Sequence, residues 1–369
     1  MLKEIKKMKI FFDNRIFYLQ KYGGISRYFY NLNKELLKLD NKTLISSPIN
    51  FNNYINKKMP NVKMHFNLKE KIIFTNRLFT FYNNFFDNYY INKFKPDITH
   101  LTYYQNKLKI KKKNPIIITV YDLIHEKFYR NYGFNKNDRA KQDYLNNADH
   151  IICISKSTKD DLSKYYDVDS NKVSVIYLGI DNLKNKEVKN KKSNFILFVG
   201  DRSKYKNFEI LVKAYSKSKE INNNYNIVCV GGGNFRKEEL QNFSELKVQE
   251  KIKFSDANDE ELVEKYETAS LFISTSLIEG FGLPALEAMS HNCKVLVSDI
   301  PLYRETLINF GNFFNPKDEY DLKENMEKLL LNNEQNSINQ SDAINHALNF
   351  TWKKCAQKTN EVYKKLSGI

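Results

Sequence analysis

Short apolar runs alternate along this chain with longer segments of helical periodicity, and this alternation predicts parallel sheets joined by crossover helices. In the first half, the runs that read as strands are KIFF (9–12), DITHL (97–101), PIIITVYD (115–122) and HIICIS (150–155). In the second half they are NFILFVGD (194–201), NIVCVGGG (226–233), SLFISTS (270–276) and KVLVSD (294–299). Because runs that are apolar nearly throughout are typical of strands covered on both faces, the pattern indicates an α/β fold.

A polar stretch, DNLKNKEVKNKKSN (181–194), separates the two series of strands and reads as a linker. Since 369 residues exceed the usual size of one hydrophobic core, we predict two Rossmann-like domains, residues 1–180 and 181–351. In open parallel sheets, ligands bind outside the carboxyl ends of the strands. The loops at such ends are Gly23-Gly24, Asp122, 200–206, 231–233 and 279–283. A cleft between the two domains would gather these loops.

The segment RLFTFYNNFFDNYYINKF (77–94) has the i, i+3, i+4, i+7 apolar spacing of an amphipathic helix. Its opposite face carries Thr80, Asn83, Asn84, Asp87 and Asn88. Two interpretations stay open. Either the helix packs on the domain's own sheet, or its aromatic face, or the loop before it, lies at a membrane surface, where each basic residue adds about 1 kcal/mol near anionic lipid.

Charge is distributed unevenly between the two halves. Residues 1–180 hold 32 Lys and Arg against 16 Asp and Glu, whereas residues 181–369 hold 27 of each, so the net charge of +16 belongs entirely to the first half. This excess indicates an anionic partner, either nucleic acid or a negatively charged membrane, or else a solvated basic face without a partner. The chain contains no recognised nucleic-acid-binding module, which argues against nucleic acid.

Export and membrane-spanning signals are absent from the sequence. The apolar run after the N-terminal lysines is short and is interrupted by Asp13, unlike a secretory signal. No apolar run approaches the roughly 20 residues of a spanning helix. The four cysteines are scattered without metal-ligand spacing, which indicates a reducing compartment. We therefore expect a cytoplasmic protein, with a peripheral contact at the cytoplasmic face of the inner membrane as a further hypothesis.

The stretch SLIEGFGLPALEAM carries two carboxylates, Glu279 and Glu287, around a Gly-x-Gly turn. Gly280 and Gly282 can adopt positive φ and allow another molecule to approach the backbone. The proline that follows suits the start of a helix. We predict a loop of exposed N–H groups at a helix N-terminus, where an anion binds well, with Glu287 in the first helical turn.

The loop GDRSKYKN follows a predicted strand and places Arg202 and Lys206 ahead of a helix that begins near Phe208. Two cations beside a helix N-terminus suit a diphosphate, because charge-assisted hydrogen bonds and the helix dipole both favour it. The alternative is that they are two exposed cations on a surface loop.

Two further loops offer weaker signals. The Gly-Gly turn in YGGISRYFYNL follows the first strand and opens a helix, as a phosphate loop does, but it lacks the G-x-G-x-x-G and Walker patterns. The strand end VYDLIHEKF supplies Asp122, His125 and Glu126, which can serve as an acid, a base or hydroxyl-binding groups. The alternative is that His125 is an ordinary hydrogen-bonded surface histidine.

Taken in order, these segments resemble the retaining glycosyltransferases of the GT-B fold in family GT4 (glycosyltransferase group 1), and in particular its mannosyltransferases. The resemblance covers nearly the whole length and rests on GGISRYFYNL, VYDLIHEKF, ADHIICISKSTKDDL, VSVIYLGID, FVGDRSKYKN, VCVGGG and EGFGLPALEAM. It implies two Rossmann-like domains facing each other across a cleft, the first for the acceptor and the second for the nucleotide-sugar donor. The final segment, 352–369, resembles the family's last helix, which crosses back to the first domain.

The resemblance also implies roles for individual residues. The counterpart of Glu279 contacts the donor sugar's hydroxyls, and the counterpart of Glu287 holds the ribose hydroxyls. The counterparts of Arg202 and Lys206 grip the diphosphate, so Arg202, Lys206 and Glu279 are the expected catalytic residues. The remaining residues expected at the donor are Gly24, Gly280, Phe281, Gly282 and Leu283.

One departure from the family pattern concerns its usual histidine. Many relatives carry His-Asp where this chain has Tyr121-Asp122, and that histidine often touches the reacting sugar. Tyr121 can supply a hydrogen bond in its place, or His125 can substitute for it. Tyr121, Asp122 and His125 are therefore the candidates for contact with the sugar or the acceptor.

The activity implied by the resemblance is hexosyl transfer with retention of configuration. The donor would be GDP-mannose or a UDP-sugar, and the acceptor a glycan or lipid-linked sugar in surface polysaccharide or lipopolysaccharide biosynthesis. No metal ion or other cofactor is expected, since no acidic metal-binding motif occurs in the sequence. Two alternatives are a sugar-nucleotide epimerase of the same fold and a noncatalytic, degenerate transferase that serves as a binding module.

Overall fold

The computed structural model describes residues 7–69, 76–104, 112–129, 136–181, 192–332 and 338–369. The chain divides into two compact units, Met1–Gly179 with Thr351–Ile369, and Ile180–Phe350. Each unit is built on a parallel sheet whose strands alternate with helices along the chain. The predicted α/β class with two Rossmann-like domains is therefore confirmed.

The first unit contains a seven-stranded sheet and a separate pair of short strands. Its strands are β1 (Lys9–Phe12), β2 (Lys42–Ser46), β3 (Ile49–Asn50), β4 (Val62–Lys63), β5 (Phe66–Asn67), β6 (Ile98–Leu101), β7 (Ile116–Val120), β8 (His150–Cys153) and β9 (Val173–Val175). Its helices before the second unit are α1 (Arg15–Leu19), α2 (Gly24–Lys38), α3 (Asn76–Phe94), α4 (Lys136–Asn147) and α5 (Lys156–Tyr165), with a π-helix at His125–Tyr129. The sheet has the order β4-β2-β1-β6-β7-β8-β9, and β3 pairs with β5.

The second unit contains a six-stranded sheet in the order β12-β11-β10-β13-β14-β15. Its strands are β10 (Ser193–Val199), β11 (Asn226–Val230), β12 (Ile252–Ser255), β13 (Ala269–Ser274), β14 (Val295–Ser298) and β15 (Asn312–Phe314). Its helices are α6 (Phe208–Lys217), α7 (Lys219–Asn224), α8 (Lys237–Glu245), α9 (Asp259–Thr268), α10 (Leu283–Ser290), α11 (Pro301–Leu307), α12 (Glu319–Leu331) and α13 (Gln340–Leu348). The last helix, α14 (Trp352–Ser367), belongs to the first unit.

In both sheets, the second and third strands lie on one side of the first strand, and the later strands lie on its other side. Numbered from its own first strand, the second sheet runs 3-2-1-4-5-6 in space, and the first sheet runs the same way with a seventh strand added. This reversal of strand order lies between β1 and β6 in the first unit and between β10 and β13 in the second. Ligands of open α/β sheets bind at such a reversal, outside the carboxyl ends of the strands.

All eight apolar runs that predict strands form strands. In β7, every residue of Ile-Ile-Ile-Thr-Val is buried, as expected for a strand covered on both faces. The prediction missed several short strands, including β12 and β15, which form the two edges of the second sheet. Both contain half-buried or exposed positions, so their sequences are not apolar throughout and do not stand out from loops.

Helix α3 matches the predicted segment, and its polar face is turned inward. Asn83 and Asp87, on its polar face, are fully buried, whereas Phe81 and Phe85 are exposed. As one interpretation expects, α3 packs on its own sheet, since its Ile91 is buried with Phe11 of β1 and Leu44 of β2, but part of its aromatic face stays exposed. None of the helices within the described ranges is both long and apolar enough to span a bilayer.

A hydrogen-bonded histidine joins α14 to the first sheet. The Nδ1 atom of His100, in β6, is hydrogen-bonded to the Tyr363 hydroxyl of α14. Its Nε2 atom lies 2.9 Å from the Thr119 hydroxyl of β7. Near the start of α14, the Trp352 ring lies 6.3 Å from the Tyr28 ring of α2. Burial lowers the pKa of His100 to about 3, so the imidazole stays neutral and its two nitrogens serve as one donor and one acceptor.

The low pKa of His100 predicts a pH-dependent contribution to stability. Because its folded-state pKa of about 3 lies below the unfolded value near 6.5, the free energy of unfolding falls as pH drops from about 6.5 towards 3. His100→Gln removes this linkage. Between pH 7 and pH 4, urea denaturation should therefore show the stability advantage of the wild type shrinking by about 3 kcal/mol. Comparing the two proteins cancels the titration of other groups, and an advantage independent of pH would contradict the assignment.

Candidate functional site

The loops that follow β10 and β13 are fastened to each other at the reversal of the second sheet. The Thr275 hydroxyl donates to the Lys206 carbonyl at 2.8 Å. The Leu277 N–H donates to the Tyr205 carbonyl at 2.8 Å. Because β10 and β13 are hydrogen-bonded neighbours, the two loops emerge side by side and can present their side chains to one ligand.

An ion pair between Lys206 and Glu279 spans these two loops. Lys206 Nζ lies 2.6 Å from Glu279 Oε1, with the side chains 16% and 13% exposed, and the Ser276 hydroxyl donates to the same oxygen at 2.7 Å. Burial acts to lower the pKa of Lys206, but the Glu279 carboxylate outweighs it and raises that pKa. Among the described residues, Lys206 Nζ donates one hydrogen bond and Glu279 Oε2 accepts none. Both groups therefore keep hydrogen-bonding capacity for a ligand.

Tyr303 supports this pair from α11, and the sequence analysis missed it. Its buried hydroxyl lies 2.6 Å from the Ser274 hydroxyl and 3.5 Å from Glu279 Oε1. Burial raises the pKa of this phenol, with the Glu279 charge as the second cause, so the hydroxyl stays protonated. No local signal marks Tyr303, because it lies in an ordinary helical segment, PLYRETL, distant in sequence from the Gly-x-Gly turn.

The Gly-x-Gly turn ends at the N-terminus of α10, as predicted. Gly282 is the N-cap with φ +76° and ψ +36°, and no side chain caps the helix. Of the two glycines that can adopt positive φ, Gly282 does so. Phe281 is buried against Phe350, with the ring centroids 5.8 Å apart, so only its backbone is available to a ligand. Leu283 begins the helix.

Glu287 lies in the second turn of α10 rather than the first, since the helix begins four residues earlier. Its side chain is buried, and its Oε2 accepts a hydrogen bond of 3.1 Å from the Tyr266 hydroxyl of α9. The Tyr266 ring stacks in turn on His291, with the centroids 5.9 Å apart. The Glu287 carboxylate is therefore held on the α9 side and shares no partner with Lys206 in the contacts described here.

Arg202 has different surroundings from Lys206, with which the sequence analysis places it at the diphosphate. The Arg202 side chain is 2% exposed and pairs with Glu239 at 2.9 Å. Its guanidinium also donates to the carbonyls of Gly231, Gly233 and Asn234, at 2.8, 2.7 and 3.1 Å. The reason is geometric: the planar five-donor group matches the converging carbonyls of the glycine turn. Arg202 thus fastens the loop after β10 to the loop after β11.

Of the candidate residues in the first unit, Gly24 lies at the start of α2, and the other three lie after β7. Gly24 is the first residue of α2, and a Cβ there would meet nothing within 4 Å. Tyr121 is buried and donates to the Thr102 carbonyl at 3.2 Å, so its hydroxyl is used inside the domain. Asp122 accepts from the Ile124 N–H at 3.1 Å, and His125 begins the π-helix. The structure thus gathers Tyr121, Asp122 and His125 near the end of β7, with only the last two half-buried.

Two buried polar clusters in the first unit were not recognised from the sequence. Glu126 accepts 2.6 Å hydrogen bonds from Lys141 and from the Tyr166 hydroxyl. At the reversal of the first sheet, Asp13 accepts 2.6 Å hydrogen bonds from the N–H and hydroxyl of Thr102. Burial raises the pKa of Asp13 to about 6. Within the described ranges, no three His, Cys, Asp or Glu side chains are grouped so as to hold a metal ion.

Two family models match consecutive parts of the chain. The model described as Glycosyltransferase Family 4 matches residues 22–182, and the model described as Glycosyl transferases group 1 matches residues 179–345. The chain belongs to these glycosyltransferases. The first match covers the part of the first unit from α2 to β9, and the second covers the loops that carry Lys206 and Glu279.

Similar proteins include two bacterial mannosyltransferases. The O-antigen chain mannosyltransferase RfbU of Salmonella typhimurium is 35% identical over 46% of this chain and 48% of its own length. The serotype-specific mannosyltransferase WbdA of Escherichia coli is 28% identical over 59% of this chain and 29% of its own. The chain thus spans about half or less of the length of these two relatives. A crystal structure of a glycosyltransferase from Rickettsia africae has the same fold, with TM-score 0.72, 19% identity and 98% coverage of both chains.

The conformation of Gly282 predicts a specific intolerance to a side chain. A Cβ there would lie 2.6 Å from Tyr303 Cε1, whereas a Cβ at Gly368, with nearly the same φ of +70°, would meet nothing within 4 Å. Both alanine variants bear the cost of the left-handed conformation, so Gly368→Ala is the matched control. In urea unfolding, Gly282→Ala should destabilise by about 1–3 kcal/mol more than the control, because of overpacking. Equal destabilisation would contradict the contact with Tyr303.

Proposed function

We propose that the chain is a retaining glycosyltransferase that moves a hexose from a nucleotide-sugar donor to a glycan or lipid-linked acceptor. The observation that carries the proposal is the Lys206–Glu279 pair at the reversal of the second sheet, with a contact of 2.6 Å. Beside it, the first turn of α10 lacks a capping side chain. A cation and helix N-terminal N–H groups suit a diphosphate, and a carboxylate suits sugar hydroxyls.

In the proposed reaction, the bond between the sugar's anomeric carbon and the departing phosphate oxygen breaks. The acceptor's hydroxyl oxygen bonds to that carbon on the same face, and its proton passes to the departing phosphate oxygen, so no protein base is needed. Lys206 stabilises the negative charge that builds on the phosphate. Glu279 Oε2 accepts hydrogen bonds from the donor sugar and orients it, and Glu287 holds the ribose hydroxyls. This chemistry requires no metal ion or other cofactor.

Mannose from GDP-mannose is the first donor that we propose, followed by UDP-sugars. The names of the two bacterial relatives support mannose. They also support a product in surface polysaccharide, such as lipopolysaccharide. Calorimetric titration with GDP-, UDP- and ADP-sugars identifies the donor, and donor hydrolysis then tests for catalysis. An epimerase would release an altered sugar nucleotide without any acceptor, and a binding module would leave the donor intact.

For the acceptor, we infer a sugar presented at the cytoplasmic face of the inner membrane. The first half supports this inference through its net charge of +16, because a basic domain is attracted to an anionic leaflet. Tyr121, Asp122 and His125 remain the candidates for acceptor or sugar contact. Among them Asp122 and His125 are better placed than Tyr121, whose hydroxyl already donates to the Thr102 carbonyl.

The carboxylates of the two motif glutamates are each expected to be required for transfer. Glu279→Gln and Glu287→Gln keep the shape of the side chain but remove its charge. Each should lower kcat/KM roughly 10- to 100-fold, because a hydrogen bond to a charged group is worth about 1.5–3 kcal/mol. Glu260→Gln, at an exposed position of α9, is the matched control. The assay measures sugar transfer from radiolabelled donor in excess EDTA, and wild-type rates for either motif variant would overturn its role.

Lys206 and Arg202 should differ in the kinetic constant that each controls. Lys206→Ala is expected to lower kcat roughly 100- to 1000-fold with a smaller effect on donor affinity, because its charge matters most in the transition state. Arg202→Ala should instead raise KM for the donor and destabilise the unit by about 1–3 kcal/mol, by unfastening the glycine turn. Arg202→Lys should not rescue it, because an ammonium cannot span the carbonyls. If Arg202→Ala lowered kcat as much as Lys206→Ala and left the stability unchanged, Arg202 would instead be assigned to the binding of the diphosphate.

A further inference from the structure

Helix α3 is attached to the first unit through its polar face. The Asn83 side chain is fully buried, accepts from the Ile49 N–H at 2.8 Å and donates to the Ile49 carbonyl at 3.3 Å. Asp87 is also fully buried and accepts a hydrogen bond from Asn14, in the loop after β1. These bonds fix the rotation of the helix about its axis, since turning it would leave buried polar groups unpaired.

The opposite face of α3 carries a row of exposed apolar side chains. Leu78, Phe81, Phe85 and Tyr89 are between 47% and 67% exposed, and their spacing of three and four residues places them in one line along the helix. Phe66 of β5, 55% exposed, lies beside this row, with its ring 6.2 Å from that of Tyr82. We call these five residues the α3 stripe. A contiguous apolar surface rimmed by polar residues marks an interaction site.

The α3 stripe is backed by a packed layer and is held outward. Phe86 lies 5.3 Å from Phe85 and 6.1 Å from Tyr89, measured between ring centroids. On its other side, Phe86 packs against His65 at 4.4 Å, and the His65 ring nitrogens contact the hydroxyls of Tyr82 and Tyr90 at 2.9 and 2.7 Å. Because this layer already fills the space beneath the stripe, the exposed rings cannot turn inward without displacing it.

The charge around the stripe selects its partner. Residues 51–96 contain eight Lys and Arg and only two acidic residues, Glu70 and Asp87, and Asp87 is buried. Arg77 precedes the stripe on α3 and is exposed, and Lys93 follows it, with Nζ 6.0 Å from the Tyr89 ring centroid. Lysines 57, 58, 63 and 69 are exposed on the segment that carries His65 and Phe66, and Lys57 Nζ donates to the His65 carbonyl at 2.7 Å. We call these lysines, with Arg77 and Lys93, the basic rim. A second copy would bring like charges together, whereas an anionic lipid surface complements both the rim and the apolar row.

We propose that the α3 stripe docks on an anionic membrane surface, with its Phe and Leu side chains at the acyl boundary and Tyr89 at the headgroup level. Tyrosine suits that level because its ring is apolar and its hydroxyl is wet. The proposal deepens the proposed function, from which it takes only the lipid-linked acceptor. The buried face of α3 contacts the loop after β1, at the reversal of the first sheet. Docking therefore holds that reversal at a fixed distance from the bilayer.

Flotation of the full chain with lipid vesicles tests the proposal. Vesicles of phosphatidylcholine mixed with phosphatidylglycerol should carry the protein upward at low salt, and vesicles of phosphatidylcholine alone should not. Phe85→Asp is expected to reduce the vesicle-bound fraction roughly tenfold, because the side chain can no longer be buried in the interface. The matched control is Tyr320→Asp, since Tyr320 is 58% exposed in the second unit and Phe85 is 59% exposed. The control should float like the wild type.

Three outcomes overturn the proposal. The first is a wild-type protein that stays unbound on anionic vesicles at low salt. The second is a Phe85→Asp variant, folded by circular dichroism, that floats like the wild type; should that variant unfold, Phe81→Asp replaces it. The third is a concentration-dependent dimer in light scattering that Phe85→Asp dissociates, with no flotation, because the stripe would then be a self-association face. Flotation requires neither donor nor acceptor, so its failure leaves the transfer assays, and the proposed function, to be judged separately.

Discussion

The candidate site depends on one ion pair, between Lys206 and Glu279, that joins the loops after two neighbouring strands. Its length of 2.6 Å and its partial burial make it a strong electrostatic contact. Neither group is saturated by it among the described residues, since Glu279 Oε2 accepts no hydrogen bond there. The pair therefore pre-positions a cation and a carboxylate without consuming them. Such pre-positioning lowers the reorganisation that the two groups would need in order to meet a charged ligand.

Two residues near this pair, Tyr303 and Arg202, hold its loops in place. Tyr303 supports Glu279 through its hydroxyl and crowds Gly282 so closely that no side chain fits there. Arg202 uses its guanidinium on Glu239 and on backbone carbonyls of the glycine turn. A buried guanidinium with these partners is costly to withdraw, so it holds the loop and leaves the nearby ligand surface to Lys206. Two cations four residues apart thus have different partners.

In the first unit, helix α3 likewise uses one face for attachment and leaves the other face exposed. Hydrogen bonds to and from buried Asn83 and to buried Asp87 attach it, and Phe81, Phe85 and Tyr89 remain exposed. An ordinary amphipathic helix would do the reverse. A domain that keeps five large apolar side chains in water beside a basic rim bears a cost in solvation. Contact with a partner removes that cost.

The sequence alone determined the α/β class, eight of the strands, the helix at 77–94 and the segments that carry family membership, because apolar periodicity and glycine turns are local signals. It did not reveal the edge strands, whose half-exposed residues resemble loops, or the interior strand β2, whose apolar run is only two residues long. Nor did it reveal Tyr303, the direction of α3 or the partners of Arg202. These depend on contacts between residues distant in sequence, such as Tyr303 with Glu279 and Asp87 with Asn14. Periodicity fixes which side chains share a face, but only tertiary packing decides whether that face meets the core or the solvent.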